Sequence, residues 1–162
     1  MDTDLLIQQI HQYLLNQHEY IAIAESCTGG AICSAYTRLA GTSQTFAEGF
    51  VTYSIDSKVK TLNIDRQLIE KYGVVSEETA IAMARGAAIH LNSAWGLATT
   101  GYAGPTGGTP ESPLGCVCFG LIHRSSQEKI WSVRHIFEFH SRNQVQHDAV
   151  LFALQLCIEK MK

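Results

Sequence analysis

The stretch that decides the architecture is Tyr20-Ile-Ala-Ile-Ala-Glu25-Ser-Cys-Thr-Gly-Gly30, followed by Ala31-Ile-Cys-Ser-Ala-Tyr-Thr-Arg-Leu-Ala40. Residues 20–24 are a short, unbroken apolar run, which suits a strand buried on both faces. The segment from about Ala31 to Ala40 reads as a helix, and Gly41 supplies a stop. A buried strand that turns sharply into a helix opens an α/β unit. The turn between them, residues 25–30, then lies at the carboxyl end of a strand, where open α/β sheets bind ligands.

The rest of the chain extends that unit. Upstream, Leu6, Ile10, Tyr13 and Leu14 recur at helical spacing. Downstream, Thr45 to Tyr53 alternates loosely and predicts a second strand. Short helices are expected over Ser57 to Leu62 and Asp65 to Tyr72, the latter closed by Gly73. Ser76-Glu-Glu-Thr79 has a capping serine and two acids at the positive end of a helix dipole. Ala80, Met83, Ala84, Ala87 and Leu91 form its apolar stripe, and so many alanines predict close packing on a sheet. Trp95 to Thr100 reads as a third strand, before a glycine- and proline-rich loop from Gly101 to Pro113. Cys116 to His123 and Lys129 to Phe137 predict a hairpin across Arg124-Ser-Ser126. Val145, Ala149, Phe152, Ala153 and Leu156 line a closing helix. Helices alternate with strands early and a hairpin comes late. That order predicts a three-layer α/β/α sandwich with a mixed β-sheet, as one domain over residues 1–162.

Composition excludes several function classes. Hydrophobic residues make up 46% and charged residues 17% of the 162 residues, ordinary for a folded domain. The formal net charge of -3 lacks the basic surplus of a nucleic-acid binder, though one local phosphate pocket is compatible with it. The N-terminus has no basic export signal, and no apolar run is long enough to span a bilayer. Five cysteines (Cys27, Cys33, Cys116, Cys118 and Cys157) in such a chain are expected as reduced thiols in a cytoplasmic protein. Cys116-x-Cys118 lacks zinc-knuckle spacing and reads as a pair of small core residues, so no metal site is expected.

Two segments are candidates for chemistry. In Glu25-Ser-Cys-Thr-Gly-Gly30, Ser26 offers a hydroxyl, Gly29 and Gly30 permit close approach of a ligand, and amides opening the next helix can hold an anion or oxyanion. The plainer reading is that Ser26 or Thr28 caps the helix while the glycines turn the chain. The segment is neither a Walker A loop nor Gly-x-Ser-x-Gly. The loop from Gly101 to Pro113 is too long for an idle connection and can form an anion nest, or be an ordinary surface loop. None of His11, His18, His90, His123, His135, His140 and His147 lies in a segment that marks it as a base. Tyr53 and Lys58 straddle a strand end and a helix start. A lysine buried beside a serine loses proton affinity and becomes a competent base, whereas a solvated lysine does not.

Taken together, Ala24-Glu-Ser-Cys-Thr-Gly-Gly30, Gly49-Phe-Val-Thr-Tyr-Ser54 with Lys58, Val75-Ser-Glu77 and Thr100-Gly-Tyr-Ala-Gly-Pro-Thr-Gly-Gly-Thr-Pro110 resemble the CinA C-terminal family. Its active stand-alone members are nicotinamide-nucleotide amidases, and the likeness runs from the first strand to the last helix. The resemblance implies hydrolysis of nicotinamide mononucleotide to nicotinate mononucleotide and ammonia, with no cofactor or metal, no nucleic-acid or membrane partner, and assembly into a homo-oligomer. It places the family's serine at Ser26, its tyrosine at Tyr53 and its lysine at Lys58. A phosphate and sugar loop falls on Gly101, Gly104, Gly107, Gly108 and Thr109, and an arginine on Arg142. Ser26 would attack the carboxamide, Lys58 would take its proton and Tyr53 would hold or relay it. Amides of the Thr28, Gly29 and Gly30 segment would face the substrate. The chain departs from the family at Ile55, where Asn is usual, and at His140-Ser141, where Gly-Asp is usual. Two other readings stay open: a catalytically silent nucleotide-binding module, favoured by those departures, and a thiol hydrolase using Cys27.

Overall fold

A computed structural model describes residues 2–162, apart from the side chain of Ala47. Helix α1 (Thr3–Gln17) begins where the Asp2 carboxylate accepts the Asp4 amide, and it ends at His18, a left-handed residue with φ 55°. Strand β1 (Ile21–Glu25) is buried along its whole length. It feeds α2 (Ala31–Thr37), which stops three residues short of the predicted Ala40. Gly41, with φ 88°, does not close α2. It opens a separate 3-10 turn, Thr42–Gln44, ahead of β2 (Phe46–Val51).

Helix α3 (Ile55–Leu62) starts two residues earlier than its apolar pattern shows. Ser54 and Ser57 explain the difference, because each side chain accepts from the other's backbone amide in a reciprocal cap. Then come α4 (Arg66–Tyr72), α5 (Glu77–His90), β3 (Trp95–Gly101), β4 (Cys116–His123), β5 (Lys129–Ile136) and α6 (Arg142–Lys160).

The sheet order is β2-β1-β3-β4-β5. Strand β1 runs parallel to both β2 and β3, while β4 and β5 are antiparallel additions. The sheet is therefore mixed, with α1, α2 and α6 on one face and α3, α4 and α5 on the other. Leu6, Ile10 and Leu14 of α1 meet Val145, Ala149 and Ala153 of α6 in the larger core. Across the sheet, Met83, Ala84 and Ala87 of α5 meet Ala22, Ala24 and Ala98. The alanine-rich stripe packs as expected, and so closely that a Cβ at Gly96 or Gly120 would run into the carbonyls of Ala84 or Ala80. Cys116 and Cys118 are buried beside Val75 and Ala80, and all five cysteines are free. Among the described residues, no helix is long and apolar enough to cross a membrane.

One consequence matters for function. The carboxyl ends of the parallel strands β2, β1 and β3 converge, placing the segments after Val51, Glu25 and Gly101 side by side.

Candidate functional site

Ser26 and Lys58 meet at that convergence. Ser26 is the first residue beyond β1 and is buried. Lys58 comes from the first turns of α3, and its side chain has no exposed surface. Its Nζ donates to Ser26 Oγ at 3.0 Å and to the Thr52 carbonyl at 2.6 Å. No carboxylate pairs with it among the described residues. Burial disfavours the ammonium and pushes Lys58 down to about 8, with a smaller opposing influence from Cys27. A lysine tuned in this way is partly neutral near pH 7 and can take a proton from the hydroxyl it touches.

The turn that carries Ser26 is held by a residue the sequence reading did not single out. Glu25 is fully buried, and its carboxylate accepts the amides of Gly30 (3.0 Å), Ile32 (3.1 Å) and Cys33 (2.8 Å). This carboxylate, not Ser26 or Thr28, caps α2. Gly29 (φ 64°) and Gly30 (φ 97°) take left-handed conformations to let the chain double back over it. The Gly29 amide donates to the Ser26 carbonyl at 3.0 Å, and Thr28 Oγ1 shares a 2.8 Å hydrogen bond with Thr99 Oγ1. The amides of Gly29 and Gly30 are thus engaged within the protein. The positive end of α2 is filled by Glu25, so it is not an open anion site.

A cleft of about 240 Å³ opens over Ser26. Tyr53, Val74, Val75, Thr100, Tyr102 and Arg142 line it, with Gly101 and Gly104 of the long loop. Arg142 is the first residue of α6 and donates to the Gly104 carbonyl at 2.8 Å and to the Tyr53 hydroxyl at 2.7 Å. Both partners are neutral, and among the described residues no carboxylate pairs with this guanidinium, so its charge is available to an anion. Tyr53 is 62% exposed, and no hydrogen bond joins it to Ser26 or Lys58 among the described residues. Its contact with Arg142 puts it beside the expected phosphate end of the cleft, and it is not bonded to the Ser26–Lys58 pair. Gly104, with φ 81°, lies flat under the Phe139 ring, which a Cβ would strike. Gly107, Gly108 and Thr109 do not line the cleft. Gly107 packs against the Tyr102 ring, Gly108 against Leu114, and Thr109 closes a turn with Ser112. A groove of about 270 Å³ beside α5 is similar in size, but its lining of Thr61, Asn63, Arg85 and His90 includes no paired nucleophile and base.

Of the other candidates, none of the seven histidines lines the cleft. Cys27 does line it, but burial pushes its thiol up to about 12, which disfavours the thiolate that a thiol hydrolase needs. Ile55 begins α3 and is 39% exposed. Ser141 caps α6, accepting the Gln144 amide at 3.2 Å.

A family model described as CinA C-terminal domain matches residues 3–161. The chain belongs to this family. It is 44% identical over 134 residues to a CinA-like protein of Kosmotoga olearia, covering 83% of this chain and 32% of that protein. It is 37% identical over 160 residues to a CinA-like protein of Leptospira biflexa, covering 99% and 38%. The chain therefore spans about a third of the length of the curated relatives it matches. A solved CinA superfamily structure from Escherichia coli matches with a TM-score of 0.86 and 34% identity, over 98% of this chain and 92% of that one. The competence/damage inducible protein CihA from Agrobacterium tumefaciens matches with a TM-score of 0.93 and 32% identity, over 98% and 95%. The CinA C-terminal fold therefore accounts for every element from α1 to α6.

Proposed function

We propose that this chain hydrolyses the carboxamide of nicotinamide mononucleotide to nicotinate mononucleotide and ammonia. The observation that carries the reading is the buried contact of 3.0 Å between Lys58 Nζ and Ser26 Oγ, at the floor of a cleft whose rim holds Arg142. Neutral Lys58 takes the Ser26 proton as Oγ attacks the carboxamide carbon. The lysine ammonium then returns a proton to the departing nitrogen, ammonia leaves, and an acyl-serine remains. Water attacks the ester, Lys58 again acting as base, and the carboxylate product and free Ser26 are regenerated. The Thr28 amide is the candidate donor to the oxyanion, since those of Gly29 and Gly30 are engaged within the turn. Arg142 meets the nucleotide phosphate, and Tyr53 steadies its guanidinium.

The test is to incubate the purified chain with nicotinamide mononucleotide and follow nicotinate mononucleotide and ammonia. Turnover is expected, lost in Ser26→Ala and retained in Cys27→Ala. Binding without turnover would make the chain a silent nucleotide-binding module, and loss in Cys27→Ala equal to that in Ser26→Ala would make the thiol the nucleophile.

Arg142→Ala should act on the other end of the substrate. Removing a charge-assisted phosphate contact is expected to raise KM by roughly 10- to 100-fold, with a smaller change in kcat. Turnover of nicotinamide riboside, which lacks the phosphate, should change little. Equal losses on both substrates would show that Arg142 holds the cleft together and not the phosphate.

A further inference from the structure

Thr52 is the last residue before Tyr53 and sits directly under Lys58. It is buried, its amide donates to the Glu25 carbonyl at 2.9 Å, and its own carbonyl accepts from Lys58 Nζ at 2.6 Å. Its hydroxyl is different. Thr52 Oγ1 is buried and has no hydrogen-bond partner, the one such side-chain atom among the described residues. Buried hydroxyls are almost always paired, and leaving one unpaired is costly. The lysine beside it is short of partners too. Its ammonium form has three hydrogens to donate, and only Ser26 Oγ and the Thr52 carbonyl take them.

We propose that Thr52 is a positioning residue for Lys58, its hydroxyl accepting the third hydrogen of the ammonium when Lys58 carries the proton taken from Ser26. The inference rests on the Ser26–Lys58 reading above. In the neutral amine, one hydrogen goes to the Thr52 carbonyl and the lone pair takes the Ser26 hydroxyl, and a contact of the remaining hydrogen with Thr52 Oγ1 has no charge assistance. Once the proton arrives, the hydroxyl faces a full positive charge and its hydrogen bond becomes charge-assisted. Both Thr52 oxygens belong to one residue, so a χ1 rotation swings Oγ1 about the site its carbonyl already anchors. An interaction that strengthens when the neutral amine gains the proton lowers the barrier to proton transfer without tightening substrate binding.

The test reads Lys58 directly and needs no turnover. Protein carrying 13Cε-labelled lysine is titrated by NMR, with the Lys58 signal assigned by its disappearance in Lys58→Met. Thr52→Val keeps the shape and removes the hydroxyl. It is expected to move the Lys58 titration down by about half a pH unit or more, roughly threefold in the protonation equilibrium, and Thr52→Ser is expected to restore it. The plateau of kcat should fall in Thr52→Val with KM unchanged. A hydroxyl that is merely an orphan in the core would give a more stable Thr52→Val protein with the Lys58 titration unmoved, and that result overturns the proposal. If the wild-type chain fails to turn over the nucleotide, the amidase reading falls, while the titration still decides whether Thr52 and Lys58 are coupled.

Discussion

Lys58→Met is expected to abolish turnover and, near neutral pH, to make the protein more stable. Methionine fills the same buried channel but has no amine to take the Ser26 proton. General-base assistance is worth about 10²- to 10⁴-fold, and in the proposed mechanism the pair acts in both acylation and deacylation, so kcat should fall by at least about 10³-fold. Lys58→Arg should be as inactive, because a guanidinium does not give up its proton in this pH range. In the wild-type protein the base must be neutral. With Lys58 at about 8, kcat/KM should rise roughly tenfold per pH unit below that value and level off above it. A flat profile between pH 6 and 9 would exclude Lys58 as the base. Stability runs the other way. The lysine is harder to protonate folded (about 8) than unfolded (10.5), so below pH 8 the folded state carries the whole penalty, about 3 kcal/mol. The penalty declines from pH 8 and is gone above about 10.5. Methionine removes it but also leaves Ser26 Oγ and the Thr52 carbonyl without their donor, at about 1 kcal/mol each. The variant should therefore melt a few degrees higher at pH 7 and lower than wild type above pH 10.5. Thermal melts across that range check both signs.

Much of this arrangement was legible in the residues. The apolar run Tyr20–Ala24 predicted a buried strand, which forms one residue later as Ile21–Glu25 with Tyr20 outside it and exposed, and the alanine stripe of α5 predicted close packing on a sheet. The motif positions Ser26, Lys58 and Arg142 do converge on one cleft region. Local hydrogen bonding was less legible. Helix α2 ends early and α3 starts early because caps, not apolar periodicity, set helix ends. The burial of Lys58 depends on where β2 and α3 lie relative to β1, which no local pattern encodes. Tyr53 was expected next to the proton-transfer pair, but the turn into α3 leaves it exposed and bonded to Arg142, 89 residues away in sequence. The role of Glu25 did leave a signal. A carboxylate that ends a wholly apolar buried strand must find several donors nearby, and the amides opening the next helix are the nearest supply.

That carboxylate gives the second large effect. Glu25→Gln is expected to destabilise the fold by about 2–4 kcal/mol, a fall of roughly 5–15 °C in Tm for a domain of this size. Two carboxylate oxygens now accept three amides, from Gly30, Ile32 and Cys33. A glutamine offers one oxygen and points its NH₂ group at amides that are themselves donors. Glu25→Ala leaves all three amides orphaned and should cost more. Turnover should suffer even well below the melting temperature, because the same turn fixes Ser26 opposite Lys58 and points Gly29 back at the Ser26 carbonyl. Melting curves and kcat for both variants check this. The experiment also separates two uses of the α2 N-terminus. If its amides belong to the protein, Glu25→Gln loses stability and gains no affinity for phosphate. A variant that kept the wild-type Tm and bound phosphate more tightly would show the helix end to be a ligand site from which Glu25 had only been excluding anions.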